Sequence, residues 1–252
     1  MLSKILTVLL LLSTVFVNTS AQYAFATDVT GILSVSQFKC IKSNGYSAIF
    51  TQIYSALSGG SVDTTGSQNV IYAHQVGLGT EVYINPAPQS SKPSYTQCEE
   101  SYNLLKNANI NVRTIWLKVT NPALWSSNPS QNINFIQGIL TCTRNYGINL
   151  GIYTNWYDWY QITASSTAFQ QYNLRLWYWD VYGFGSSAEG TKDFSDFRPF
   201  GNWIYSSVKQ YALTEWFCSA VISKVVYLKS NNILEFTNIK NLTQPVAGSA
   251  IL

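Results

Sequence analysis

The sequence predicts an α/β protein: a single irregular (β/α) barrel of about five βα units, followed by three strands with little helix. Three observations carry this. Short β-branched or aromatic runs alternate with amphipathic stretches that end in Asn-Gly or Gly, as expected of a parallel sheet flanked by helices. The chain of 252 residues contains no low-complexity linker and no repeat of fixed period, which fits one large domain. Beyond Asn155 the helical signal fades while strand-like runs continue.

The first 21 residues stand apart. Lys4 precedes an apolar run from Ile5 to Val17, shorter than the ~20 residues of a membrane-spanning helix, and small residues ending "NTSA" follow. This pattern predicts a secretory signal peptide cut after Ala21, hence an extracellular protein without a membrane anchor. The barrel is expected over residues 22–230. Residues 231–252 form a C-terminal tail, whose "TQPVAGSAIL" reads as loose.

The strand runs are Tyr23 to Thr30, Tyr46 to Tyr54, Thr80 to Pro86, Arg113 to Thr120 and Ile148 to Asn155. The first helix, Ser34 to Ser43, stops at Asn44-Gly45, and the second, Thr65 to Val76, stops near Gly77 and Gly79; glycine past a helix supplies its left-handed cap. The third begins at "SYTQ", where Ser94 and Gln97 have capping-box spacing, and runs to about Asn109. The fourth opens at Asn128-Pro129 and ends at Gly147. Afterwards "WYDWYQI" reads as one short helix, and "LRLWYWDV", "SVKQYA" and "VISKVVYL" as strands.

Charged residues make up 11% of the chain, so surface polarity must come from Asn, Gln, Ser, Thr and Tyr. No run of lysines or arginines is present to track phosphates, and no nucleic-acid partner is expected at a net charge of +3. Tyrosine and tryptophan are abundant and suit stacking on sugar rings as well as core packing. The even set Cys40, Cys98, Cys142 and Cys218 suggests two disulfides in an oxidising compartment, with three connectivities open. No metal is expected: no cysteine pair has ligand spacing, and the single histidine, His74, reads as structural. No cofactor is implied either. Asn241-Leu-Thr243 is a glycosylation sequon.

In a parallel barrel, functional side chains gather at the carboxyl ends of the strands, and alternate residues face the lumen. Trp116, Lys118 and Thr120 of "IWLKVT" therefore share one face, and Asp28 closes the first strand. Asp158, Asp180, Asp193 and Asp196 lie in or near later loops.

The motifs "TDVTG", "NGYSAIF", "GIYTNWYDW", "LRLWYWDVYG", "DFRPFGNW" and "VKQYA", in this order, resemble the Chalaropsis-type lysozymes, glycoside hydrolase family 25, in their nematode form. The resemblance spans roughly Phe25 to Tyr227. It implies a flattened barrel with an acidic groove that cleaves the muramic acid to glucosamine linkage of peptidoglycan. The family's site resembles a set of four acids, of which Asp28 matches the first. The fourth-strand pattern "IWLDVE" becomes "IWLKVT", so Lys118 and Thr120 stand at two acid positions; "CSAVISKVVY" aligns with "CGAGIDKNWY" and puts Ser223 at the last.

Glycoside hydrolysis needs one carboxylic acid to protonate the leaving oxygen and a second group to stabilise or capture the oxocarbenium-like centre. Threonine cannot be that acid, and a lysine holds its proton too tightly and repels a developing positive sugar. Lys118 is expected instead to pair with Asp28. The resemblance also marks Tyr83, Tyr153, Trp177, Gln210 and Tyr211 as groove residues. Barrel order then predicts the bridges Cys98 to Cys142, on consecutive outer helices, and Cys40 to Cys218, where closure brings the first and last units together.

The leading functional expectation is a secreted, monomeric lysozyme-like protein, catalytically impaired or inactive, that binds cell-wall peptidoglycan or a related glycan in defence or digestion. One alternative is an active lysozyme with relocated acids, Asp180 or Asp193 being candidates. Another is a secreted interaction protein that uses the barrel as a scaffold.

Overall fold

The computed structural model describes residues 23–229 and 243–251. The leader 1–21 and Asn241 lie outside them. Along the chain run β1 (Tyr23–Val29), α1 (Val35–Ser43), β2 (Ala48–Ser55), β3 (Ser61–Val62), α2 (Thr64–Gln75), β4 (Gly79–Ile84), α3 (Ser94–Asn107), β5 (Asn111–Val112) and β6 (Thr114–Lys118). These are followed by α4 (Pro129–Asn145), β7 (Asn149–Thr154), α5 (Trp156–Thr163), β8 (Arg175–Trp179), β9 (Val208–Phe217), β10 (Ala220–Leu228) and β11 (Val246–Ala247).

Eight strands close a barrel in the order β1, β2, β4, β6, β7, β8, β9, β10. All are parallel except β10, which returns from β9 and pairs antiparallel with both β9 and β1. That last pairing sets Asp28 opposite Ser223. The alternation of runs thus gives the (β/α) barrel, and the chain after Asn155 gives the irregular sector, where residues 180–207 replace a helix between β8 and β9.

The side-chain period of two divides each strand between two apolar layers. Ile115, Leu117 and Val119 face outward onto α3 and α4, while Trp116 faces the lumen with Phe50, Tyr83, Tyr153 and Trp177. Large rings in so narrow a lumen require small neighbours, and β1 and β2 supply Ala24, Ala26 and Ala48. On β7, Gly151 lies against Trp116: a Cβ there would sit 2.2 Å from the indole ring.

Caps follow the sequence in part. Ser34 and Gln37 form a capping box at α1, and Asn128 caps α4 with Pro129 behind it. The box expected at Ser94 is absent, because the Gln97 amide is engaged by the backbone of Ala87 and Lys92; Pro93 takes the cap position of α3 without a side-chain bond. Both disulfides have the expected pairing. Cys98 joins Cys142 between α3 and α4 across 6.3 Å of Cα separation, and Cys40 joins Cys218 across 5.8 Å.

Residues 243–251 are not loose. β11 pairs with β5, and Val246, Ala247, Ala250 and Ile251 are buried, the last two plugging the lumen opposite the strands' carboxyl ends. Glu81 on β4 holds this plug: its Oε1 accepts from the N–H groups of Ala250 (2.9 Å) and Ile251 (3.0 Å), and its Oε2 from Trp116 Nε1 (2.8 Å). Burial pushes the Glu81 carboxyl up to about 7 despite these donors.

Candidate functional site: the carboxyl end of the barrel

The strand ends bring Asp28, Lys118, Tyr83, Tyr153, Gln210 and Ser223 to the mouth of the lumen. Asp28 is positioned by a relay: the Tyr153 hydroxyl donates to Gln210 Oε1, and Gln210 Nε2 donates to Asp28 Oδ2 at 3.1 Å. Asp28 Oδ1 is buried without a partner. Burial dominates the titration of this carboxyl and lifts it to about 6, against the opposing pull of Lys118, Tyr83 and Gln210.

The expected Asp28–Lys118 ion pair does not form. Among the described residues Lys118 makes no ion pair or hydrogen bond; its Nζ is seated 5.6 Å from the centroid of the Tyr153 ring, and Gln210 takes the place beside Asp28. The lysine acts on Asp28 only through space. Thr120 is half-buried and gives its carbonyl to Trp125 Nε1, and Ser223 Oγ accepts a 3.4 Å bond from Thr214 N. Neither Thr120 nor Ser223 is an acid.

The five groove residues divide. Tyr83, Tyr153, Trp177 and Gln210 converge beneath Asp28, but they are 0–6% exposed and form the floor of the mouth rather than open walls. Tyr211 does not join them. Val208 and Gln210 point inward, so the next residue points outward, and Tyr211 packs on Phe25 outside the barrel.

One site residue stood unassigned among the loop aspartates. Asp158, in the first turn of α5, is buried, accepts from Trp179 Nε1 at 3.1 Å, and is raised by burial against the pull of Trp179, Asn121 and Lys118. Its signal in the sequence is the Asn155 cap, whose Oδ1 accepts from Asp158 N and fixes this first turn. Of the relocation candidates, Asp193 is half-buried and spends Oδ1 on Ser195 N and Oγ. Asp180 lies within hydrogen-bonding reach of Asp196, which in turn binds Tyr178 and the buried Lys209. Two carboxyls in hydrogen-bond contact are closer than the ~5 to 9.5 Å that either stereochemical course of glycoside hydrolysis requires.

With this geometry established, the similarities to known proteins can be placed. The family model for lysozyme-like protein 1 matches residues 19–211. Lysozyme-like protein 1 of Caenorhabditis elegans is 40% identical over 212 residues, covering 84% of this chain and 71% of the relative. A probable GH family 25 lysozyme 2 of Dictyostelium discoideum is 31% identical over 185 residues, covering 73% of this chain and 81% of its own length. A muramidase of Trichobolus zukalii superposes with a TM-score of 0.64 over 87% of this chain and all of its own; at 16% identity this likeness shows the barrel fold. The chain belongs to the lysozyme-like protein 1 family, among the glycoside hydrolase family 25 lysozymes.

Proposed function

We propose that this protein is a secreted, glycan-binding member of its family that does not hydrolyse peptidoglycan by the family's carboxylate mechanism, and that it serves in defence or digestion by engaging bacterial cell wall. One observation carries the reading: of the four positions where the family resemblance expects acids, Asp28 alone is one, and Lys118, Thr120 and Ser223 offer a cation and two hydroxyls where the reaction needs carboxyls. An ammonium at Lys118 opposes the positive charge that develops on the sugar in the transition state. Membership among lysozymes and the muramidase fold support a glycan as the ligand.

A second reading, residual hydrolysis, is favoured by the titration of Asp28. A half-buried carboxyl lifted to about 6 has the protonation behaviour of a general acid, and Asp158 is a second, buried carboxyl that senses the same lysine. Clearing of a bacterial wall suspension together with sedimentation of the protein on the same walls separates the readings. Binding without clearing supports the proposal and clearing supports the second reading. Neither event leaves the barrel as a scaffold for another interaction.

A further inference from the structure

The rings at the mouth are buried and cannot stack on a ligand, whereas a second concavity nearby carries open rings. Outside the barrel, between the start of α5, the end of β8 and the segment 195–200, lies a cavity of about 810 Å³, within the ~300–1,000 Å³ of small-molecule sites. Trp156 and Tyr160 on its wall are 60% and 55% exposed, although both are large aromatic side chains. Its polar lining includes Asn155, Asp180, Asp196 and the exposed Arg198.

The lining selects among ligands by charge and shape. Lys209 pairs with Asp196 from within the wall, and Arg198 lines the cavity together with Asp180, so the lining carries both signs of charge and selects neither a cation nor an anion. An anionic ligand would meet both carboxyls. Asp180 and Asp196 bring carboxylate oxygens that accept, and Asn155 and Arg198 bring N–H groups that donate. A pyranose ring satisfies both halves of the lining: its C–H face stacks on an indole, and its vicinal hydroxyls both donate and accept.

We propose that this lateral cavity, rather than the mouth around Asp28, holds a neutral pyranose unit of the glycan, stacked on Trp156 and hydrogen-bonded by Asp180 and Asp196. The inference rests on the glycan-binding reading above. It explains how binding can persist where Lys118, Thr120 and Ser223 stand at three of the four acid positions.

The test titrates the disulfide-intact protein with N-acetylglucosamine trimer, followed by tryptophan fluorescence and calorimetry, beside wall sedimentation. Trp156→Ala and Asp180→Ala should each weaken trimer binding at least tenfold with unchanged circular dichroism. Trp216→Ala, an exposed ring on β9 outside the cavity lining, should change it less than twofold. Equal affinity in Trp156→Ala, Asp180→Ala and the parent would overturn the proposal. So would a trimer site lost in Lys118→Met but intact in Trp156→Ala, which would put the ring at the mouth. A parent that binds walls but no trimer overturns this inference alone, and a parent that binds neither overturns the glycan-binding reading with it.

Discussion

Replacing Asp28 with asparagine removes one titrating group from the mouth while leaving an amide oxygen for Gln210 to donate to. The direction of the effect follows from linkage. A carboxyl near 3.8 in the unfolded chain and about 6 in the folded one binds more protons when folded between those values. Its favourable contribution is therefore complete below pH ~3.8 and is lost as pH rises through 6. The full displacement corresponds to at most ~3 kcal/mol, and partial exposure of the residue reduces this to roughly 1–2 kcal/mol. Urea unfolding of the disulfide-intact parent and of Asp28→Asn should give a stability difference that favours the variant by that amount at pH 7.5 and that shrinks toward zero at pH 3.5. The difference between the two proteins cancels the parallel titration of Glu81, which both retain. A variant less stable than the parent at pH 7.5 would refute the reasoning, because it would show Asp28 held as a charge by Lys118, the pairing the sequence suggested. Equal stability at both pH values would show that burial at the mouth is too shallow to move the carboxyl.

Three further outcomes follow from packing and connectivity. Gly151→Ala places a methyl group against the Trp116 ring and should destabilise the fold by about 1–3 kcal/mol in thermal or urea unfolding. Truncation after Ser249 removes the plug that binds Glu81 and exposes the lumen; the loss should be about 2–4 kcal/mol at pH 8, with increased binding of a hydrophobic dye. Replacing Cys40 and Cys218 with serine opens a loop of sequence separation 178, against 44 for Cys98 and Cys142, so chain entropy predicts a cost of about 5 kcal/mol against about 4, read as the order of the two urea midpoints.

Much of the barrel was legible because its signals are local. The period of two in "IWLKVT" places Trp116 in the lumen and Lys118 above it, and the helix order is enough to pair Cys98 with Cys142. The failures are of a different physical kind. The facing of Tyr211 depends on strand phase: Gln210 faces the lumen, so Tyr211 faces out, and one residue is the whole difference between lumen and outer surface. The seat of Lys118 is decided by Tyr153 and Gln210, which belong to strands remote in sequence. The tail "TQPVAGSAIL" has no strong periodicity of its own; its residues 246–251 are placed by the open end of a lumen and by Glu81, features that exist only after the barrel closes. A glutamate inside the apolar run "TEVYI" was the available hint that a buried donor set awaited it.

The central claim, that the mouth of this lysozyme-like barrel has lost its hydrolytic chemistry, is tested most directly by the release of reducing ends from purified peptidoglycan between pH 4 and pH 8. The parent should release no more than a blank without protein at any pH, and Asp28→Asn and Asp158→Asn should be indistinguishable from it. Release by the purified parent that rises as Asp28 becomes protonated near pH 6 and vanishes in Asp28→Asn would contradict the claim and make Asp28 a working acid.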